Sequence, residues 1–213
     1  MSMELIQKHR FVGILRHIPS ELALETVKAM YEGGIRIFEV TFDPSKPEEA
    51  EKTGNVIRQI RDAFGPEVCV GCGTAVDVRY AEIAWRAGAE FVVSPCTDPA
   101  VIRFTKEKGM ISIPGAYTPT EIQNAYNLGA DIVKIFPILP DGLPYLKNVI
   151  SPLSHIPFMV TGGINPTTVR GFLDTGAVAV AAGATIATRD LVLAGDFDTI
   201  RTNAKNHIDE INN

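Results

Sequence analysis

Two periodicities alternate along the chain. Short runs rich in Val, Ile, Phe and small residues read as strands: Phe11–Arg16, Ile35–Phe42, Val68–Thr74, Phe91–Pro95, Ile111–Gly115, Ile132–Pro137, Phe158–Gly162 and Val178–Ala182. Between them lie segments with apolar residues at helical spacing, among them Glu21–Glu32, Pro47–Ala63, Val78–Ala87, Pro99–Lys108, Thr120–Leu128 and Thr167–Thr175. Many of these segments end in glycine (Gly33-Gly34, Gly88, Gly109, Gly129, Gly176), the residue that best adopts the left-handed turn closing a helix. The next strand-like run follows shortly after each, with no linker or low-complexity segment between them. Eight such units predict an α/β fold, a single (β/α)8 TIM barrel with parallel strands, as one domain over residues 1–213. A doubly wound open sheet is the alternative, but no G-x-G-x-x-G follows the first strand. At 213 residues the barrel is compact beside the roughly 250 of a typical one.

Composition narrows the function. With 46% hydrophobic and 21% charged residues the chain has the make-up of a globular domain. Its net charge of −5, without a Lys/Arg block, speaks against nucleic-acid binding. The uncharged stretch from Gly176 to Thr188 is shorter than the roughly 18 apolar residues that a membrane span needs, so no membrane partner is expected. Glu4, Lys8, His9 and Arg10 interrupt the first residues, which lack a signal-like apolar region, and a cytoplasmic location is the expectation. Three cysteines give no disulfide framework. Cys69 and Cys72 form a C-x-x-C, but on a strand residues three apart face opposite ways, so they read as small core residues. His9, His17, His155 and His207 have no ligand spacing, and no metal site is expected.

The chemistry concentrates at the strand ends, where barrels carry it. Lys134 stands inside Asp131-Ile132-Val133-Lys134-Ile135-Phe136-Pro137. An unpaired ammonium in a buried strand costs several kcal/mol or gives up its proton. A neutral lysine is a nucleophile suited to forming a Schiff base with a ketone. The plainer alternative is an edge strand with the ammonium in water. Two-residue alternation places Ile37, Glu39 and Thr41 on one face, Cys72 and Thr74 on another, and Ile132, Lys134 and Phe136 on a third, with Arg16 ending the first strand. If these faces point inward, Arg16, Glu39, Thr74 and Lys134 converge. That set suits a carboxylate that moves protons beside an amine that attacks a carbonyl. A charge network that only holds strands in register is the competing reading, and such networks add little stability. A second cluster, Thr161-Gly162-Gly163-Ile164-Asn165 and Ala182-Gly183-Ala184-Thr185, follows the last two strands. Backbone amides there commonly bind phosphate in barrels.

The motifs Gly34-Ile35-Arg36-Ile37-Phe38-Glu39-Val40-Thr41, Gly71-Cys72-Gly73-Thr74, Phe91-Val92-Val93-Ser94-Pro95, Ile113-Pro114-Gly115-Ala116-Tyr117-Thr118-Pro119, Lys134-Ile135-Phe136-Pro137 and Thr161-Gly162-Gly163-Ile164 carry a family resemblance. In order and spacing the chain resembles the class I aldolases that act on 2-keto-3-deoxy-6-phosphogluconate (KDPG) and 4-hydroxy-2-oxoglutarate (KHG). The resemblance implies that Lys134 is the Schiff-base lysine and Glu39 the general acid/base. It places Thr74, Pro95 and Phe136 around the pyruvyl end of the substrate and Thr161 at its far part. Gly162, Gly163, Gly183 and Ala184 would face a phosphate. It also implies a homotrimer acting on a small keto acid with no metal or organic cofactor. The expected reaction cleaves KDPG to pyruvate and glyceraldehyde 3-phosphate. KHG and 2-keto-3-deoxy-6-phosphogalactonate are alternative substrates, and a catalytically silent metabolite-binding barrel is an alternative of another class. Two positions depart from the family. Asp43 stands where an arginine is frequent, and Ala184 where the family usually has Ser.

Overall fold

A computed structural model of the chain describes residues 2–139 and 141–212. Its strands are β1 (Phe11–Leu15), β2 (Ile37–Thr41), β3 (Cys69–Gly73), β4 (Phe91–Val93), β5 (Ile111–Ile113), β6 (Gly115–Ala116), β7 (Val133–Ile135), β8 (Phe158–Thr161) and β9 (Ala179–Ala182). They pair in parallel in the order β5-β4-β3-β2-β1-β9-β8-β7-β6. The fifth strand-like run is thus not continuous, because Pro114 has no N–H to give the ladder and splits it into β5 and β6. That broken run closes the barrel. On one side the Ser94 amide donates to the Ile113 carbonyl (3.2 Å), and on the other the Lys134 amide donates to the Pro114 carbonyl (2.9 Å).

Around the strands lie α1 (Ser2–His9), α2 (Ala23–Glu32), α3 (Ala50–Phe64), α4 (Val78–Ala87), α5 (Pro99–Glu107), α6 (Pro119–Asn127), α7 (Leu143–Ile150), α8 (Val169–Leu173), α9 (Arg189–Leu193) and α10 (Phe197–Asn212). Side-chain caps start several of them. Asp77 accepts from the Arg79 amide, Asp98 accepts from the Ala100 and Val101 amides, and Thr118 with Glu121 forms a reciprocal capping box. Gly34, Gly88, Gly109, Gly129 and Gly176 all have positive φ, as their positions after helices predicted. Helices α1, α7, α9 and α10 lie outside the amphipathic runs singled out above. Among the described residues no helix is long and apolar enough to cross a membrane.

Alternation along each strand divides the core in two. Inside the barrel pack Val12, Ile14, Ile37, Cys69, Phe91, Val93, Ile113, Ile132, Met159, Ala179 and Ala181, with Ile6 of α1 among them. α1 thereby covers the end of the barrel at which the strands begin. Between strands and helices lie Val27, Met30, Phe38, Val40, Ile57, Ile60, Val70, Cys72, Val160 and Val180. Cys69 and Cys72 therefore face opposite layers. The expectation that Cys72 shares the inner face with Thr74 is corrected. Gly71 and Gly73 point inward, and Thr74 escapes the alternation because its φ is +60°.

Candidate active site

The strands deliver two ionisable groups into the apolar interior. Glu39, in the middle of β2, is fully buried (0%), and Lys134, in the middle of β7, is 2% exposed. Among the described residues neither carboxylate oxygen of Glu39 has a hydrogen-bond partner. Burial raises the Glu39 carboxyl above its ordinary value, and the positive charges of Lys134 and Arg16 oppose that rise. Burial likewise lowers the Lys134 ammonium, with Glu39 opposing the shift and Arg16 adding to it. Desolvation is the largest influence on both groups, so each is pushed towards its neutral form. The Lys134 Nζ sits 4.7 Å from the centroid of the Phe136 ring, whose face attracts the ammonium and so opposes part of the desolvation.

Arg16 emerges from the end of β1, and its Nη2 donates to the Thr74 hydroxyl at 3.5 Å. Two contacts hold this edge of the mouth. The Thr41 hydroxyl donates to the Leu15 carbonyl (3.0 Å), tying the end of β2 to the residue before Arg16. The buried Ser94 hydroxyl donates to the Ala75 carbonyl (2.7 Å), fixing the turn that presents Thr74. Pro95 lies at the end of the same run, close enough that a methyl group at Gly115 would stand 2.4 Å from the Pro95 carbonyl oxygen. Thr161 ends β8; its hydroxyl is buried and has no hydrogen-bond partner among the described residues.

The loops after β8 and β9 lie at the same end of the barrel, with β9 directly beside β1. Gly162 has φ +104°, and a methyl group there would come within 2.4 Å of the Ile138 carbonyl oxygen, so this glycine answers to a close backbone approach as well as to its φ. Gly163 has φ +62°. Gly183 passes the Ile14 carbonyl at a distance that excludes a side chain, and Ala184 is exposed. Asp43 borders a cleft of about 750 Å³ between the loops after β1 and β2, whose walls include His17, Lys46, Lys52 and Arg189 but neither Glu39 nor Lys134. Its carboxylate is folded back on its own turn, accepting from the Ser45 hydroxyl (2.6 Å) and the Ser45 amide (3.0 Å). Those bonds, helped by His17 and Lys46, hold it below the usual carboxylate range. The negative charge of Asp43 is thus already engaged.

Arg16, Glu39, Thr74 and Lys134 are therefore brought to one end of the barrel, Thr74 by its left-handed backbone and not by the alternation with Cys72 expected for it. The sequence reading missed Gly73, Thr41 and Ser94. The available signal was the Gly71-x-Gly73 spacing, since glycine at alternate strand positions leaves room for large neighbours on one face. Among the described residues no group of three or more His, Cys, Asp or Glu side chains is placed to hold a metal ion.

Comparison with known proteins finds relatives over nearly the whole chain. A family model described as "Aldolase: KDPG and KHG aldolase" matches residues 3–203. A 2-dehydro-3-deoxy-phosphogluconate aldolase of Treponema pallidum (strain Nichols) is 31% identical over 198 residues, covering 92% of this chain and 91% of that protein. The KHG/KDPG aldolase of Escherichia coli (strain K12) is 30% identical over 190 residues, covering 89% and 86%. A solved structure described as native KDPGal superposes with a TM-score of 0.83 at 27% identity, covering 95% of this chain and 94% of that one.

Proposed function

This chain belongs to the KDPG and KHG aldolase family, and from that premise we propose that it is a class I aldolase cleaving a 4-hydroxy-2-keto acid, KDPG foremost, to pyruvate and an aldehyde. The observation that carries the reading is the pair Glu39 and Lys134, buried together inside the barrel and both driven towards neutrality. A neutral Lys134 Nζ attacks the substrate C2 carbonyl. The Glu39 carboxylic acid gives its proton to the carbinolamine hydroxyl, which leaves as water, and a protonated imine forms beside the Glu39 carboxylate. The imine's positive charge cannot leave as a proton leaves an ammonium without unmaking the electron sink, so it stands beside Glu39 and favours the carboxylate. Glu39 then takes the proton of the C4 hydroxyl, directly or through water. The C3–C4 bonding electrons move into the imine, forming an enamine and releasing the aldehyde. The Glu39 carboxylic acid returns that proton to C3, water hydrolyses the imine with the proton released going to the Glu39 carboxylate, and pyruvate leaves with Lys134 and the Glu39 acid restored. A raised carboxyl pKa suits both halves of the transfer, because a general acid/base works best near the ambient pH.

Arg16 and Thr74 are proposed to hold the keto-acid carboxylate, with Pro95 and Phe136 walling the pyruvyl carbons. The unpartnered Thr161 hydroxyl meets the hydroxylated middle of the substrate, and the backbone around Gly162, Gly163, Gly183 and Ala184 receives the phosphate. A second substrate, KHG, is favoured by one observation. Ala184 offers no hydroxyl to a phosphate, which narrows the advantage of phosphorylated acids over unphosphorylated ones. The test is a coupled assay of pyruvate release over a panel of 4-hydroxy-2-keto acids. Release from KDPG supports the reading, release from KHG alone transfers it to the second substrate, and release from none overturns it.

A further inference from the structure

His207 is buried in α10, 1% exposed, and takes no part in the chemistry above. Its ring touches Phe11 at 5.4 Å between centroids. Its Nδ1 lies 2.8 Å from the Asn203 carbonyl oxygen, which can only accept, so Nδ1 carries the hydrogen. In the neutral ring, which burial favours, Nε2 is then an acceptor. It lies 3.2 Å from the Thr185 hydroxyl, in the turn after β9. The same hydroxyl lies 3.1 Å from the Ile164 carbonyl oxygen, in the loop after β8. The Thr185 hydroxyl has one hydrogen for these two acceptors and shares it between them, so the two loops of the phosphate rim and the C-terminal helix meet at this one group. One turn earlier on α10, the Asn203 side-chain amide donates to the Ile186 carbonyl (3.1 Å). The turn is thus held from beneath at two successive residues, while its own Ile186 and Ala187 amides close on the Gly183 carbonyl (2.9 Å each).

We propose that His207 and Thr185 are positioning residues of the anion-binding rim. Acting with Asn203, they fix the backbone of the Gly183–Thr185 turn against the Gly162–Ile164 loop and so set the preference for phosphorylated over unphosphorylated substrates. The phosphate-facing role of the rim rests on the proposed function, but the arrangement that holds it belongs to α10. An anion held by backbone amides depends on where those amides point. A turn freed from its anchor loses affinity for the anion rather than reactivity at Lys134.

The test uses the full chain with Thr185→Val, which keeps the shape and removes the hydroxyl, Thr185→Ser, which restores it, and His207→Gln. Two readouts are taken. The first is the affinity for inorganic phosphate, followed by 31P line broadening. The second is the ratio of kcat/KM for KDPG to that for its unphosphorylated analogue. Thr185→Val is expected to weaken phosphate binding and lower the ratio about three- to tenfold, the worth of one hydrogen bond, through KM rather than kcat. Thr185→Ser returns both towards the parent, and His207→Gln follows Thr185→Val in direction. Phosphate binding by Thr185→Val equal to the parent's, or no phosphate binding by the parent, overturns the proposal. So does a fall in kcat for both substrates that leaves the ratio alone. A parent that binds phosphate with the expected dependence on Thr185 but releases no pyruvate supports the positioning role and overturns the catalytic reading instead.

Discussion

Gly73 lies directly against the carboxylate of Glu39: a methyl group at position 73 would stand 1.8 Å from Glu39 Oε1 and 2.5 Å from its Cδ. The strand beside the acid/base thus leaves the volume that the carboxylate fills. Gly71, one step earlier, makes the same allowance for the Phe91 ring. Gly73→Ala must move the carboxylate, and a displacement of about 1 Å at a reacting group costs on the order of a hundredfold in rate. The expected result is a folded protein with pyruvate release reduced to that extent. Turnover within about twofold of the parent would show that Glu39 tolerates the shift.

Pyruvate with borohydride is expected to leave a reduced adduct on Lys134, located by mass spectrometry of a digest. Lys147, exposed on α7, is the internal control. Because burial lowers the Lys134 pKa, its free amine is present at pH values where an ordinary lysine, near 10.5, is protonated. The trapping rate should therefore level off at a lower pH than that of an exposed lysine. An adduct on Lys147 alone, or an ordinary lysine profile, contradicts the assignment.

Glu39→Gln keeps the shape of the side chain and removes the base, so pyruvate release should fall by about 100- to 10,000-fold, the usual worth of general acid–base catalysis. Stability should change in the opposite sense. The Glu39 carboxyl titrates above its ordinary 4.5 in the folded chain, so folding takes up a proton there. That contribution is complete below the unfolded value and is lost as the pH rises through the folded one. The amide has no such loss. The Tm of Glu39→Gln relative to the parent should rise as the pH climbs from the unfolded carboxyl range through the folded one; a gap that narrows instead refutes the burial argument.

Ala184→Ser adds a hydroxyl at the exposed turn after β9. A hydrogen bond to a charged group contributes about 1.5–3 kcal/mol, or roughly ten- to a hundredfold. The substitution should raise kcat/KM for KDPG towards that range and leave KHG nearly unaffected. If the ratio of the two does not move, phosphate is not read at position 184.

The family resemblance leads us to propose a homotrimer. Light scattering at micromolar concentration should report three times the 23.1 kDa chain mass. A monomer under those conditions removes the trimer and leaves the chemistry at Lys134 untouched.

The barrel was legible because its units are local. Each strand-like run, amphipathic segment and closing glycine can be read within about 25 residues, and parallel strands with crossover helices leave few ways to pack. Lys134 and Glu39 stood out for the same local reason, as charges flanked by apolar residues in the middle of strands. The sequence reading ran the fifth strand straight through Pro114, and only the pairing of β5 with β4 and of β6 with β7 showed that it breaks there and closes the barrel. Thr74 was placed correctly at the mouth for a wrong reason. Its left-handed φ, rather than strand alternation with Cys72, carries it to Arg16.

The sequence by itself determined the order of elements, the inward faces of the strands that carry Glu39 and Lys134, and the residue types able to form an imine and move a proton. It could do so because periodicity and side-chain chemistry are properties of single segments. Tertiary structure alone decided that Gly73 makes room for Glu39 and that His207 reaches back to Thr185, 22 residues before it. Each of those is a distance between atoms that the chain's own spacing leaves open. Burial, which depends on what the rest of the fold places around a group, is what pushes Lys134 and Glu39 towards the neutral forms the chemistry begins from.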